Sequence, residues 1–272
     1  MNKALLERYM REAGIRPRRS AGQHFLLDEY VVDRIADVAK IQPGDTVLEV
    51  GPGFGILTEK LLERGAEVVA IELDRSLAAW LRKHFAGRPV TILEDDALRV
   101  RRDQVFFGKP YKFVANIPYN ITSILFRQLL TQSPKPTSIT ALIQKEVAER
   151  MTATVGEMSL LSLSVQWFSR PEIAFIVEKE SFLPPPEVTS AVIHCADIHD
   201  GRESEYEDEV FRLARMAFAG KRKQLRNTLM AGLRKNRDEI DEFLLEAGIT
   251  PEARPQDLNI EKWLTLAKKM KS

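Results

Sequence analysis

Thr46-Val47-Leu48-Glu49-Val50-Gly51-Pro52-Gly53-Phe54-Gly55 decides the fold. Its first half is a short β-branched and apolar run of the kind that becomes a central parallel strand, and its second half is a glycine turn. Leu57, Leu61 and Leu62 follow at helical spacing, so strand, turn and helix make one nucleotide-binding unit. Such a turn needs glycine because side chains would block a ligand lying against the backbone at the helix N-terminus. The spacing is Gly-x-Gly-x-Gly, with Ile56 where a dinucleotide fingerprint places its last glycine, which favours S-adenosylmethionine over NAD. A glycine turn can also be a tight turn and nothing more, so its neighbours must decide.

Outward from the turn, the run Glu67 to Glu72 reads as a second strand ending in a carboxylate about twenty residues beyond the glycines, where an acid accepts both ribose hydroxyls. Glu72 is the expected ribose ligand; Asp74 competes with it and equally suits the N-cap of a helix carrying Leu77 and Leu81. A third strand, Val90 to Leu93, leads into Glu94-Asp95-Asp96-Ala97-Leu98, an acidic strand end suited to the exocyclic amine of an adenine. Spacing does not choose between Asp95 and Asp96, and simple solvation would also explain the turn. A fourth strand, Tyr111 to Ala115, delivers Asn116-Ile117-Pro118-Tyr119 to the carboxyl edge of the sheet, where ligands of open parallel sheets bind. An amide, a proline-stiffened backbone and an aromatic ring make a clamp for a planar amine. Ser138 to Ile143 reads as a fifth strand, and Gln144 to Arg150 as a helix whose alternating charges form a solvated face. Two more strands, Ile173 to Val177 and Ala191 to Cys195, bracket Phe182-Leu183-Pro184-Pro185-Pro186-Glu187-Val188. Three prolines cannot sit in a sheet ladder, so they stiffen an extended connection whose Phe182 is either presented to a ligand or buried.

The 272 residues and 44% apolar content allow one large domain with a smaller appendage and a real core. The single cysteine, Cys195, excludes an intramolecular disulfide, and its apolar surroundings predict a buried strand position. No apolar run reaches the length of a membrane span and no signal-like block follows the N-terminus, so a soluble, cytoplasmic chain is expected. No second His or Cys lies at ligand spacing near His24, and no metal site is expected. A net charge of +1 hides local asymmetry. Between residues 3 and 19, six basic residues face two acidic ones; this is either a solvated helix ending before Pro17 or an arm touching RNA phosphates. From about Ile198 strand-and-helix alternation gives way to helical periodicity alone, which divides the chain into a catalytic domain over 1–197 and a helical domain over 198–272. Arg212 to Arg237 holds nine basic residues and no acidic one, the pattern of a polyanion site.

Taken together, Gln23-His24-Phe25-Leu26, the Glu49 to Gly55 turn, Asp96-Ala97-Leu98, Asn116 to Asn120, Phe182 to Val192 and Phe218 to Asn227 resemble the ribosomal RNA adenine dimethyltransferases over nearly the whole chain, most closely the bacterial small-subunit branch linked to kasugamycin sensitivity. The resemblance implies an α/β fold: a Rossmann-like S-adenosylmethionine-dependent methyltransferase sheet with a small C-terminal all-helical domain that binds RNA. It implies N6,N6-dimethylation of two adjacent adenosines near the 3′ end of 16S rRNA, within the immature small subunit and coupled to late assembly, by a monomer. His24, Leu26, Gly51, Glu72, Asp96 and Asn116 fall on the family's cofactor-contacting positions. For such a reaction Asn116, Tyr119 and Phe182 are the expected catalytic residues, with Tyr119 on one face of the target base and Phe182 on the other. His24 departs from the Asn that many bacterial members carry; imidazole can still donate to the methionine carboxylate, with an altered pH dependence. The alternatives are a macrolide-resistance type methyltransferase acting on large-subunit RNA, against which the stretch Phe218 to Asn227 argues, and a protein serving chiefly as a ribosome-assembly factor.

Overall fold

The computed structural model describes residues 1, 3–15, 24–220 and 223–271. Two compact units emerge, one of Met1–Ala148 with Arg170–Ile198, the other of Glu149–Ser169 with His199–Ser272. The later boundary falls after Ile198, within one residue of a single cut after 197, and the segment 149–169 groups with the helical unit. It contains no strand, and Trp167 near its end sets its ring edge-on to Phe211, 6.0 Å away.

In chain order the first unit comprises α1 (Lys3–Ala13), β1 (Phe25–Leu26), α2 (Glu29–Val38), β2 (Thr46–Val50), α3 (Ile56–Glu63), β3 (Glu67–Glu72), α4 (Arg75–His84), β4 (Val90–Glu94), α5 (Arg102–Phe106), β5 (Lys112–Asn116), α6 (Thr122–Thr131), β6 (Ile139–Gln144) and the start of α7 (Lys145–Met151). After α8 (Leu160–Gln166), which belongs to the other unit, come β7 (Arg170–Val177), β8 (Phe182–Leu183) and β9 (Ser190–Ala196). Seven strands form one sheet in the order β4-β3-β2-β5-β6-β9-β7. The first five pair in parallel, and β9 is antiparallel to both β6 and β7. The parallel strands are nearly continuous apolar runs because helices cover both faces, and the residues Phe113 to Ala115 are wholly buried. Cys195 is buried in β9, as its surroundings predict.

Strand order reverses between β2 and β5, so the loops leaving the carboxyl ends of these two strands diverge and open a crevice. Those loops are the glycine turn and Asn116 to Tyr119. The fourth strand lies one residue later than the apolar run suggests, so that Asn116 is its last ladder residue, opposite Leu142.

Local pattern did not reveal β1 and β8. They pair antiparallel as a separate ribbon, Phe25 opposite Leu183 and Leu26 opposite Phe182, joining two stretches that lie more than 150 residues apart.

The second unit adds α9 (Glu207–Phe218), α10 (Leu225–Leu233), α11 (Arg237–Glu246) and α12 (Ile260–Lys271) around a core that includes Trp167, Val210, Leu213, Leu229 and Trp263. Asn236 starts α11 with a reciprocal cap, accepting from the Glu239 N–H while the Glu239 carboxylate accepts from its own. No helix among the described residues is long and apolar enough to cross a membrane.

Candidate active site

A cavity of about 400 Å³ occupies the crevice above β2, β3 and β5. The glycine turn forms its floor, with Gly51 and Gly53 in the left-handed region at φ +67° and +59°. A Cβ at Gly51 would stand 3.3 Å from the Pro118 ring, and one at Gly53 would stand 3.1 Å from Phe25, so only glycine lets these walls close on the turn.

The cavity brings together His24, Leu26, Gly51, Glu72, Asp96, Asn116 and Tyr119. Glu72 ends β3 and is 7% exposed, and its carboxylate accepts from the Asp74 N–H at 2.8 Å. Asp74 also reaches the cavity, but one of its oxygens accepts from the Ser76 and Leu77 N–H groups and caps α4. One Asp74 oxygen is thus committed to the helix end. Asp95 and Asp96 both line the cavity; Asp96 accepts from the Leu98 N–H, and Asp95 accepts from that of Asp96. Asn116 directs its amide nitrogen toward the His24 carbonyl at 3.5 Å, which leaves its oxygen as the acceptor. The Tyr119 ring stacks on His24 at 5.9 Å between centroids, and its hydroxyl meets Ser190 Oγ at 2.7 Å. His24 Nδ1 lies 2.8 Å from the Pro184 carbonyl, which can only accept, so Nδ1 carries the proton.

Of the two placements open to Phe182, the structure shows the buried one. It is 2% exposed, belongs to the main core and does not line the cavity. It pairs with Leu26 in the β1–β8 ribbon.

Glu49 received no role from its motif, yet it is the most deeply buried acid of the cavity at 1% exposure. Thr58 Oγ1 donates to it at 2.6 Å. Burial pushes the carboxyl up to about 8, with the nearby Glu72 carboxylate adding to the rise. Glu72 is likewise pushed up to about 7, chiefly by burial. An acid inside an otherwise apolar strand was the sequence signal for it. Ser190, buried at the start of β9, was also missed, because nothing local to it names its partner.

Among the described residues, five carboxylates line the cavity (Glu49, Glu72, Asp74, Asp95 and Asp96), and no Lys or Arg does. A dinucleotide pyrophosphate would be repelled there, whereas a ligand with a cationic centre and a ribose diol suits the donor set. The residues therefore fit S-adenosylmethionine.

The profile of the family described as ribosomal RNA adenine dimethylase matches residues 14–272. The chain belongs to the ribosomal RNA adenine dimethylase family. Among relatives of this dimethylase, the ribosomal RNA small subunit methyltransferase A of Dehalococcoides mccartyi (strain ATCC BAA-2266 / KCTC 15142 / 195) is 40% identical over 93% of this chain and 88% of its own. That of Moorella thermoacetica is 38% identical over 95% and 94%. The crystal structure of a dimethyladenosine transferase from Plasmodium falciparum superposes with a TM-score of 0.76 at 30% identity, covering 89% of this chain and 96% of that one. The 23S rRNA methyltransferase ErmE gives 0.73 at 29% identity over 91% and 100%. Rossmann-like adenine dimethylases thus share both the sheet and the helical unit with this chain, and α1 precedes the matched segment.

The basic run of this dimethylase, Arg212 to Arg237, is not uniformly available. Arg226 is 7% exposed and held between Asp241 and Glu252, and Arg212 is paired with Glu209. Arg237 lies 3.7 Å from Asp241. Arg215, Lys223, Arg234 and Lys235 are exposed. Lys221 and Arg222 lie outside the described residues, as do Gln23 and the basic residues Arg16, Arg18 and Arg19.

Proposed function

We propose that this chain uses S-adenosylmethionine to dimethylate the N6 amines of two adjacent adenosines near the 3′ end of 16S rRNA, acting as a monomer in the cytoplasm on immature small subunits. The observation that carries this reading is the placement of Asn116 and Tyr119 on the rim of the same acidic cavity that holds the glycine turn and Glu72. The 16S choice is supported by relatives named for the small subunit that share 36–40% of their residues with this chain.

S-adenosylmethionine supplies, when bound, an electrophilic methyl group. Glu72 would hold its ribose diol, Asp96 its adenine amine, and the cavity end around His24, Leu26 and Gly51 its methionine portion. The nitrogen of adenine is a poor nucleophile because its lone pair is delocalised into the ring. Asn116, through its side-chain oxygen, and the backbone carbonyl at Ile117 can accept the two amine hydrogens and localise that lone pair. Positioning and electrostatics carry the acceleration, with no strong base required. The target base must leave its stack, which costs a few kcal/mol. Tyr119 supplies the aromatic face that offsets part of this, on the order of 1–3 kcal/mol. For the second methylation the nitrogen has only one hydrogen to donate, so the clamp must tolerate one lost hydrogen bond. The exposed cations Arg215, Lys223, Arg234 and Lys235, with Lys221 and Arg222, would hold the RNA through phosphates.

Incubating the protein and labelled donor with small subunits, large subunits and duplex DNA side by side, then mapping dimethyladenosine, tests the reading. Label at two adjacent adenosines near the 3′ end of 16S rRNA is expected. Label confined to large-subunit RNA would reject it in favour of the 23S type. An Asn116→Ala protein separates catalysis from assembly: maturation of small subunits should fail although binding persists.

A further inference from the structure

The N-terminal helix precedes residues 14–272, the stretch that the family profile matches; its basic residues invite an RNA-binding role, yet its contacts point elsewhere. Along its solvent side Lys3 and Arg8 are already opposed by Glu7 and Glu12, one turn on, at 3.9 and 3.5 Å. On its inner side Leu6 is wholly buried, and Tyr9 enters an aromatic cluster. The Tyr9 ring lies 4.7 Å from Trp80, 5.2 Å from His84 and 6.4 Å from Phe54. Phe54 in turn packs against Trp80 at 5.3 Å and Phe25 at 5.0 Å.

Phe54 is the only side chain larger than proline within the turn Gly51 to Gly55, and it is 4% exposed. Three glycines in the left-handed region surround it, and such a backbone loses much conformational freedom when fixed. The turn is held by whatever holds Phe54. Two of its three aromatic walls, Phe25 and Trp80, come from the body of the unit; the third, Tyr9, comes from α1. Met1, two positions ahead of the same helix in the chain, lines the cavity.

We infer that α1 is a wall of the donor site and that Tyr9 is a positioning residue, fixing the glycine turn through Phe54. This rests on the cavity being the S-adenosylmethionine site. A turn held in its ligand-ready form loses less freedom on binding, so Tyr9 contributes to donor affinity without touching the transferred group. RNA affinity owes nothing to it.

Titration calorimetry with S-adenosylmethionine and with S-adenosylhomocysteine on the full-length chain tests this, alongside binding of a 16S rRNA fragment and amide hydrogen exchange. Tyr9→Ala should weaken both nucleosides by roughly three- to tenfold, the scale of one or two aromatic contacts. Exchange at the Phe54 and Gly55 amides should quicken, and kcat at saturating donor should hold while KM for the donor rises. Tyr9→Phe should stay within about twofold of wild type. Should Tyr9→Ala fail to fold, Tyr9→Leu, which keeps an apolar plug, is read the same way. Unchanged nucleoside affinity in a folded variant would overturn the role. So would weakened RNA binding with donor affinity intact, which would make α1 an RNA arm. A wild-type chain that takes up neither nucleoside would overturn the reading of the cavity itself, and this role with it.

Discussion

The hydroxyls of Tyr119 and Ser190 lie 2.7 Å apart, although 71 residues separate them in the chain. Ser190 begins β9, fully buried between β6 and β7, so it is a fixed point to which the ring on the cavity rim is tied. Ser190→Ala should lower kcat for methyl transfer by roughly three- to tenfold, the scale of one neutral hydrogen bond, and leave donor affinity alone. Combining it with Tyr119→Phe should cost no more than either change singly, because both remove the same bond. Losses that multiply would show that the two hydroxyls act separately. Tyr119→Ala, which removes the stacking face, should abolish most transfer while donor binding persists; near-normal turnover would refute its role.

Glu49 and Glu72 make the donor-free protein sensitive to pH. Both carboxyls titrate above their ordinary value of 4.5, at about 8 and about 7, so near neutrality the folded chain retains protons that the unfolded chain has released. Their contribution to stability is complete below about pH 4.5 and is lost as pH rises through 7 and 8, on the order of a few kcal/mol in all. The melting temperature without donor should fall between pH 5 and 8, and Glu49→Gln should flatten much of that fall. A cationic donor favours the ionised forms, so it should raise the melting temperature more at pH 8 than at pH 6. Identical pH profiles for wild type and Glu49→Gln would show that the buried acid does not titrate with folding.

His24 carries its proton on Nδ1, which is engaged by the Pro184 carbonyl. In this tautomer the ring offers only an acceptor at Nε2. The amide of His24→Asn can donate to a carboxylate, so the variant should bind S-adenosylmethionine at least as tightly as wild type. Weaker binding by the variant would show that the imidazole itself takes part in donor recognition.

Arg226 and its basic neighbours should separate cleanly. Arg226→Ala leaves Asp241 and Glu252 without their buried partner and should destabilise the protein by about 2–3 kcal/mol. Charge reversal at Lys221, Arg222 and Lys223 should leave the melting temperature nearly unchanged, weaken rRNA binding and reduce the slope of its salt dependence. RNA affinity that survives the triple reversal would exclude this surface.

The core of the catalytic unit was legible because its signals are local. An apolar run, a glycine turn and a leucine-spaced helix each depend on neighbours within a few residues, and Glu72 and Asn116 follow from their places at strand ends. The sequence by itself thus determined the strand–turn–helix unit, the acids that follow it and the edge of the sheet that carries Asn116 to Tyr119. Tertiary structure decided what depends on a distant partner. Phe25 and Leu26 become a strand only because Phe182 and Leu183 lie beside them, and Phe182 is buried there. The strand β9 inserts between β6 and β7, which brings Ser190 to Tyr119. Acids outside the basic run withdraw Arg226 and Arg212 from it, and α1 turns an apolar face, not its charges, to the site. The physical reason is common to all: propensity and periodicity act over one or two turns of chain, whereas burial, register and charge pairing are settled by which surfaces meet.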